Sequence, residues 1–182
     1  MSISPKYIFF DRDGTIIRDT GYPYKPEHIE FLPDVIEGLL LLQDRGYRFI
    51  IITNQAGIAR GIYSEQDALN FSQEVERRLA DQGVHILKTY FCPHHPDFTG
   101  LCKCRKPQIG LALQAARKFN ITLSKSFFVG DKDSDIQFGF NCGGMTFRIA
   151  NAQYPSTVAS HYTVDNLMEI ASILLRPYNT VK

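Results

Sequence analysis

The chain has almost no net charge: across its 182 residues, 20 Lys and Arg stand against 19 Asp and Glu, a formal +1. That balance argues against a polyanion such as DNA as the main partner. Long apolar runs are also missing; none approaches the ~20 residues a membrane helix needs. The opening segment MSISPKYIFF has no charged n-region and no separate apolar h-region, and its apolar run passes straight into charged residues. Nothing in it reads as a secretion signal. No internal repeat or low-complexity linker divides the sequence. These absences predict a soluble, cytoplasmic, monomeric single domain over residues 1–182, with no nucleic-acid and no membrane partner. A chain of this length buries roughly 70% of its unfolded surface, so it needs no disulfide for stability.

Cysteine is scarce and unevenly spread. Three of the four cysteines and two of the five histidines fall in one proline-bounded stretch, CPHHPDFTGLCKCRKP, Cys92 to Pro107. Cys102 and Cys104 are too close in sequence for an easy mutual bridge. Three sulfurs and one imidazole suit a closed tetrahedral zinc site instead, with Cys92, Cys102 and Cys104 as thiolate ligands and His94 or His95 as the nitrogen ligand. A closed site leaves no position for a substrate, so the expected role of this zinc is structural. It would stiffen a loop with little core of its own and hold Arg105 and Lys106 in place. The fourth cysteine, Cys142, reads as a small buried apolar residue.

Elsewhere, apolar runs alternate with helical patterns. Strands are expected at Tyr7–Phe10, Phe49–Ile52, Ile86–Phe91, Phe127–Val129 and Thr146–Ile149. Helices are expected at Pro33–Arg45, from Ser64 (with Asp67 completing a capping box) to Gly83, at Ile109–Phe119, from Asp135 to Phe140, and at Leu167–Leu175. Strand and helix in turn imply a parallel sheet covered by helices on both faces, an α/β fold. In such sheets ligands bind beyond the carboxyl ends of the strands. The first strand is followed by DRDGT, the second by TNQAG, the third by the cysteine loop and RKP, the fourth by GDKDSD. All of these loops therefore converge on one edge. Asp11, Asp13, Asp131, Asp133 and Asp135 crowd there, and carboxylates so gathered repel unless a cation neutralises them. Hard oxygen ligands of this kind suit Mg²⁺.

Taken together, FFDRDGT, TNQ, RKP and GDKDSD resemble the four motifs of the haloacid dehalogenase superfamily of phosphotransferases, in the family's order from Tyr7 to Asp135. The resemblance implies a Rossmann-like three-layer α/β/α fold. It also implies that Asp11 is a nucleophile forming an aspartyl-phosphate, and that Asp13 protonates the leaving alkoxide and then activates water. Mg²⁺ would be held by Asp11, the backbone carbonyl of Asp13, and Asp131, with Asp135 joining through water. Thr53 would bind phosphoryl oxygens and Lys106 would supply positive charge. No large insertion follows the first strand or TNQ, so the enzyme is expected to be capless.

The C-x-H…C-x-C cluster before RKP is similar to the zinc loop of the heptose bisphosphate phosphatases and the related histidinol phosphatases, which favours His94 over His95. The likeness to the heptose bisphosphate phosphatases extends to DxDGTI, Asp19 with Gly21-Tyr22, and Thr53 to Gly61. It implies hydrolysis of the 7-phosphate of a D-glycero-D-manno-heptose 1,7-bisphosphate, in a route to nucleotide-activated heptose for lipopolysaccharide. Asp19, Thr20, Gly21, Tyr22 and Lys132 would lie on the substrate side. Thr53, Asn54, Gln55 and Ala56 would surround the transferred phosphate and sugar, and Arg105 would recognise the second phosphate as a planar cation. The rival readings are a histidinol-phosphate phosphatase, a polynucleotide 3′-phosphatase, and a zinc-stabilised binding module descended from a phosphatase.

Overall fold

Continuous apolar strand runs such as YIFF and FIII need cover on both faces, and the chain supplies it. The computed structural model describes residues 6–154 and 156–176. The elements run β1 (Lys6–Phe10), α1 (Val35–Asp44), β2 (Tyr47–Asn54), α2 (Ala56–Ala59), α3 (Glu65–Asp81), β3 (Ile86–Cys92), α4 (Pro96–Thr99), α5 (Gly110–Phe119), β4 (Phe127–Gly130), α6 (Asp133–Asn141), β5 (Met145–Ile149), β6 (Tyr162–Val164) and α7 (Leu167–Leu175). One six-stranded sheet has the order β3-β2-β1-β4-β5-β6. Every neighbouring pair in it is parallel. The architecture is the expected Rossmann-like α/β fold.

Alternate residues of each strand serve opposite layers. Ile8, Phe10, Phe49 and Ile51 pack with Leu39 and Leu42 of α1, Phe71, Val75 and Leu79 of α3, and Ile170 of α7. Tyr7, Phe9, Ile50 and Ile52 face the other way, toward Leu111 and Ala112 of α5 and Phe138 of α6. Phe9 stacks on Phe128 with centroids 5.0 Å apart. Burying one such side chain contributes about 1.5–3 kcal/mol.

Several boundaries differ from the sequence expectation, for local reasons. Helix α1 begins at Val35, because Asp34 adopts a left-handed conformation (φ 61°) at the N-cap, which a short polar side chain tolerates. Helix α6 begins two residues before Asp135, whose carboxylate reaches back to accept the Lys132 N–H at 3.0 Å. The pattern gave no sign of α2, α4 or β6; the last is three residues long and mostly exposed.

The chain first builds outward from β1 through β2 to β3, then returns to place β4 on the other side of β1. The crevice for a ligand lies where that direction reverses. Asp11 begins there, its N–H donating to the Val129 carbonyl at 2.8 Å.

Candidate active site

Lys106 is placed by its backbone first. Its N–H donates to Asn54 Oδ1 at 3.0 Å, and Asn54 Nδ2 donates back to its carbonyl at 3.2 Å. This reciprocal pair ties the end of β2 to the close of the cysteine loop. The ammonium then meets Asp11 Oδ1 at 2.6 Å, Asp135 Oδ1 at 2.7 Å and the Ile52 carbonyl at 2.7 Å. All three of its donors are thereby used. Burial alone would lower the Lys106 pKa, but Asp11 and Asp135 outweigh it and raise the value, so the group stays charged.

Asp131 has no such cation in contact. One oxygen each of Asp11, Asp131 and Asp135 lies within 4.8 Å of the others. Asn151 Nδ2 donates to Asp131 Oδ2 at 2.8 Å, while Asp131 Oδ1 is buried with no partner among the described residues. Burial, and then the charge of Asp11, push the Asp131 carboxyl up to about 7. Three carboxylates share one directly paired ammonium, and one buried oxygen is orphaned. That is the donor set of a hard divalent cation, and Mg²⁺ fits it. The backbone makes room for the cluster: Gly14 has φ +87°, and a side chain there would collide with Asp131. Asp133 turns away. Its carboxylate takes Arg148, the Thr157 hydroxyl and the Val158 N–H, and the Thr157 bond leads in lowering its pKa.

Asp13 is held differently. Arg12 forks onto it, Nε to Oδ1 at 2.8 Å and Nη2 to Oδ2 at 3.0 Å. Gln55 Nε2 donates to the same Oδ2 at 3.0 Å and to Thr53 Oγ1 at 2.7 Å. Tyr63 donates its hydroxyl to Gln55 Oε1 at 2.6 Å, which fixes the amide's orientation. Burial pushes the Tyr63 hydroxyl up to about 12, so it remains a donor. Gln55 is only 2% exposed; its amide supports Thr53 and Asp13 from beneath. Because Gln55 donates to the Thr53 oxygen, the Thr53 hydrogen is left to donate elsewhere.

An outer ring surrounds this centre. Lys132 Nζ pairs with Asp19 Oδ2 at 2.9 Å and lies 4.4 Å from the centroid of the Tyr154 ring. Tyr154 donates its hydroxyl to the same Asp19 oxygen at 2.8 Å. Burial works against the Asp19 carboxylate, but Lys132, Gly21 and Tyr154 together lower its pKa. Thr20, Gly21 and Tyr22 are exposed, with Gly21 N–H on Asp19 Oδ1 at 2.8 Å. Ala56 opens α2 beside Gln55. Arg105 is half-buried, its Nη1 donating to the His94 carbonyl at 3.1 Å.

Among the described residues all four cysteines are free. Cys92, His94, Cys102 and Cys104 form a single cluster, and His95 is not part of it. The Cys92 sulfur lies 3.7 Å from that of Cys102, 3.0 Å from that of Cys104 and 3.7 Å from His94 Nδ1. Four soft donors at such spacings suit a tetrahedral metal. His95 instead accepts the Asp97 N–H at 3.3 Å as the N-cap of α4. Cys142 is buried, as expected, and burial pushes its thiol up to about 12.

The sequence reading passed over four residues of this site: Arg12, Tyr63, Asn151 and Tyr154. Asn151 and Tyr154 follow the carboxyl end of β5, so the rule that pointed to the other strand ends would have reached them too.

A family model described as polynucleotide kinase 3 phosphatase matches residues 6–159. Over 135 residues the chain is 44% identical to the D-glycero-beta-D-manno-heptose-1,7-bisphosphate 7-phosphatase of Photorhabdus laumondii, a match covering 71% of this chain and 72% of that protein. Over 176 residues it is 38% identical to the D-glycero-alpha-D-manno-heptose-1,7-bisphosphate 7-phosphatase of the same organism, covering 93% and 96%. It is also similar to the crystal structure of D,D-heptose 1,7-bisphosphate phosphatase from B. bronchiseptica complexed with magnesium and phosphate. That likeness has a TM-score of 0.82 at 28% identity and covers 93% of this chain and 98% of that one.

Proposed function

From the premise that the chain belongs to the polynucleotide kinase 3 phosphatase family, within the haloacid dehalogenase phosphatases, we propose that it removes the 7-phosphate of a D-glycero-D-manno-heptose 1,7-bisphosphate. The observation that carries this reading is the buried Lys106–Asp11–Asp135 group set against the under-compensated Asp131. Bound by Asp11, the Asp13 carbonyl and Asp131, with Asp135 beside them, Mg²⁺ would offset the repulsion between an attacking carboxylate and a phosphate.

The chain's own residues supply the rest. An oxygen of Asp11 bonds to phosphorus as the bond from phosphorus to the sugar oxygen breaks, its electron pair leaving with that oxygen. Asp13 gives the oxygen a proton, releasing the sugar hydroxyl and becoming a carboxylate. Asp13 then takes a proton from water as the water oxygen bonds to phosphorus. The bond between phosphorus and Asp11 breaks, and phosphate departs. The Thr53 hydroxyl donates to a phosphoryl oxygen, and Lys106 keeps its ammonium against the transferring group. Asp19, Thr20, Gly21, Tyr22 and Lys132 face the sugar, with Asn54 and Ala56 shaping the opposite wall; Gln55, also expected there, is buried and acts through Thr53 and Asp13 instead. Arg105 takes the second phosphate.

Zinc held by Cys92, His94, Cys102 and Cys104 would fix the 92–107 loop and so the position of Arg105 and Lys106. We place the reaction in the cytoplasm, where reducing conditions keep those thiols available to a metal, and assign it to one monomeric domain, whose ends lie outside the described residues. The near-zero net charge favours a small substrate over a nucleic acid.

The test is phosphate release by purified protein with Mg²⁺ from both heptose bisphosphate anomers, histidinol phosphate and a 3′-phosphorylated oligonucleotide. A heptose bisphosphate is expected to give the highest kcat/KM, with acid quenching trapping phosphate on Asp11. Faster turnover of histidinol phosphate or of the oligonucleotide would overturn the substrate assignment.

A further inference from the structure

An acid that protonates a leaving group must be aimed at it, and Asp13 is held on both of its oxygens, with one acceptor site left, on Oδ1. Oδ1 accepts from Arg12 Nε, and Oδ2 accepts from both Arg12 Nη2 and Gln55 Nε2, at 2.8, 3.0 and 3.0 Å. We infer that Arg12 is a positioning residue for Asp13: its guanidinium fork holds the acid/base carboxylate in one pose and leaves the second lone pair of Oδ1 to carry the proton. The inference rests on the acid/base reading of Asp13 given above.

The placement of Arg12 supports a dedicated role. A cation between two aspartates at a turn is free to point into solvent, yet Arg12 is fully buried. Its guanidinium carbon lies 4.5 Å from the centroid of the Phe71 ring on α3, and Nη2 also reaches the Pro23 carbonyl at 3.4 Å. Nη1 is buried with no partner among the described residues. The side chain therefore leaves one of its own donors unsatisfied while placing two on Asp13. A planar fork sets both distance and angle of a carboxylate, which the point charge of a lysine does not. From the other side, the Tyr63–Gln55 bond aims an amide N–H₂ at the same oxygen. Asp13 is thus gripped by side chains from two parts of the chain, its own loop and the turn after β2, the second braced in turn by Tyr63 from the segment before α3.

A residue that merely filled the core would slow every substrate alike when changed. One that acts through the general acid slows esters that need a proton on departure. The test compares kcat/KM, which reports the steps up to departure of the alcohol, for an alkyl sugar phosphate and for p-nitrophenyl phosphate, whose phenolate leaves unprotonated. Arg12→Lys and Arg12→Met are expected to lose about 100-fold or more on the alkyl ester and less than about tenfold on the aryl ester. In an Asp13→Asn background, Arg12→Lys should add no further loss on the alkyl ester. Equal losses on both esters, or additive losses in the double variant, would overturn the inference. Thermal unfolding checks the fold of each variant; if Arg12→Met does not fold, Arg12→Lys, which keeps the charge and loses the fork, carries the comparison. A wild-type protein that turned over neither ester would instead remove the phosphatase reading, and this inference with it.

Discussion

Two groups of buried charge meet in the DRDGT turn and follow opposite plans. The Arg12–Asp13 pair matches one cation to one anion, and every carboxylate oxygen has a donor. Around Asp11, three carboxylates have a single ammonium in contact, an Asp131 oxygen has no partner, and that carboxyl is pushed up to about 7. The balanced pair is arranged to hold a geometry. The unbalanced group is arranged to accept a cation it does not itself contain. Charge balance therefore separates a positioning device from a metal-binding one more clearly than burial does, since both are buried.

The comparison breaks most visibly at Lys106. Lys106→Met leaves the acidic group with no ammonium in contact, and turnover should fall about 100- to 1,000-fold; steady-state kinetics check it, and an unchanged kcat would refute the role. The cluster of three sulfurs and one imidazole is a third set of donors that could hold a cation. Stripping zinc with a strong chelator should lower kcat/KM by on the order of 100-fold, through misplacement of Arg105 and Lys106. Metal analysis should find one zinc per chain beforehand. If zinc leaves and the rate does not change, the loop is no clamp.

Stability should separate the two charge groups by sign. In Mg²⁺-free buffer, Asp13→Ala leaves Arg12 buried and unpaired, a loss of about 3–5 kcal/mol, or a melting temperature lower by roughly 10 °C at about 2–4 °C per kcal/mol. Asp131→Asn relieves repulsion and should raise the melting temperature while abolishing Mg²⁺ dependence. If both variants melt lower than wild type, the distinction fails.

The smallest effect is a pH dependence. Asp131 holds its proton to about pH 7 in the folded, metal-free protein, whereas the unfolded chain releases it near pH 4, the usual aspartate value of ~3.9. Between these limits the folded state binds more protons, so its stability declines as pH rises. Mg²⁺ replaces that proton, so the melting-temperature gain on adding it should grow from pH 6 to pH 8. A constant gain would show that Asp131 is not the residue being displaced.

What the sequence disclosed and what it concealed follow from how far each contact reaches. Asp11, Thr53 and Asp131 were legible as candidates because each stands where an apolar strand run ends, and a parallel sheet sends all such ends to one edge; Lys106 was legible from RKP at the close of the cysteine loop that follows β3. The Cys92, His94, Cys102 and Cys104 cluster was legible because soft donors gather within one loop. Arg12 was not: between two acids it resembles a solvated turn cation, and its burial depends on Phe71, far along the chain on α3. Gln55 reads in isolation as a polar strand-end residue that faces a ligand. Only the Tyr63 hydroxyl turns its amide toward Thr53 and Asp13. Asp135, expected to meet Mg²⁺ through water, also caps α6 and pairs with Lys106, two contacts that its motif does not announce. Tyr154 and Asn151 belong to no motif. Their role depends on where the β5–β6 connection folds back, which the Asp133 bonds to Thr157 and Val158 determine.

The central position of β1, with β2 and β4 hydrogen-bonded on its flanks, bears on how the protein would come apart. Edge strands and surface connections open by small local excursions, while a middle strand is exposed only when the whole domain melts. Amide exchange should therefore be slowest at Phe9, Phe10 and Asp11 and much faster in β6 and around Tyr154. Under mild denaturant the protein would let go of the Asp19–Tyr154 contact first, with Asp11 still anchored.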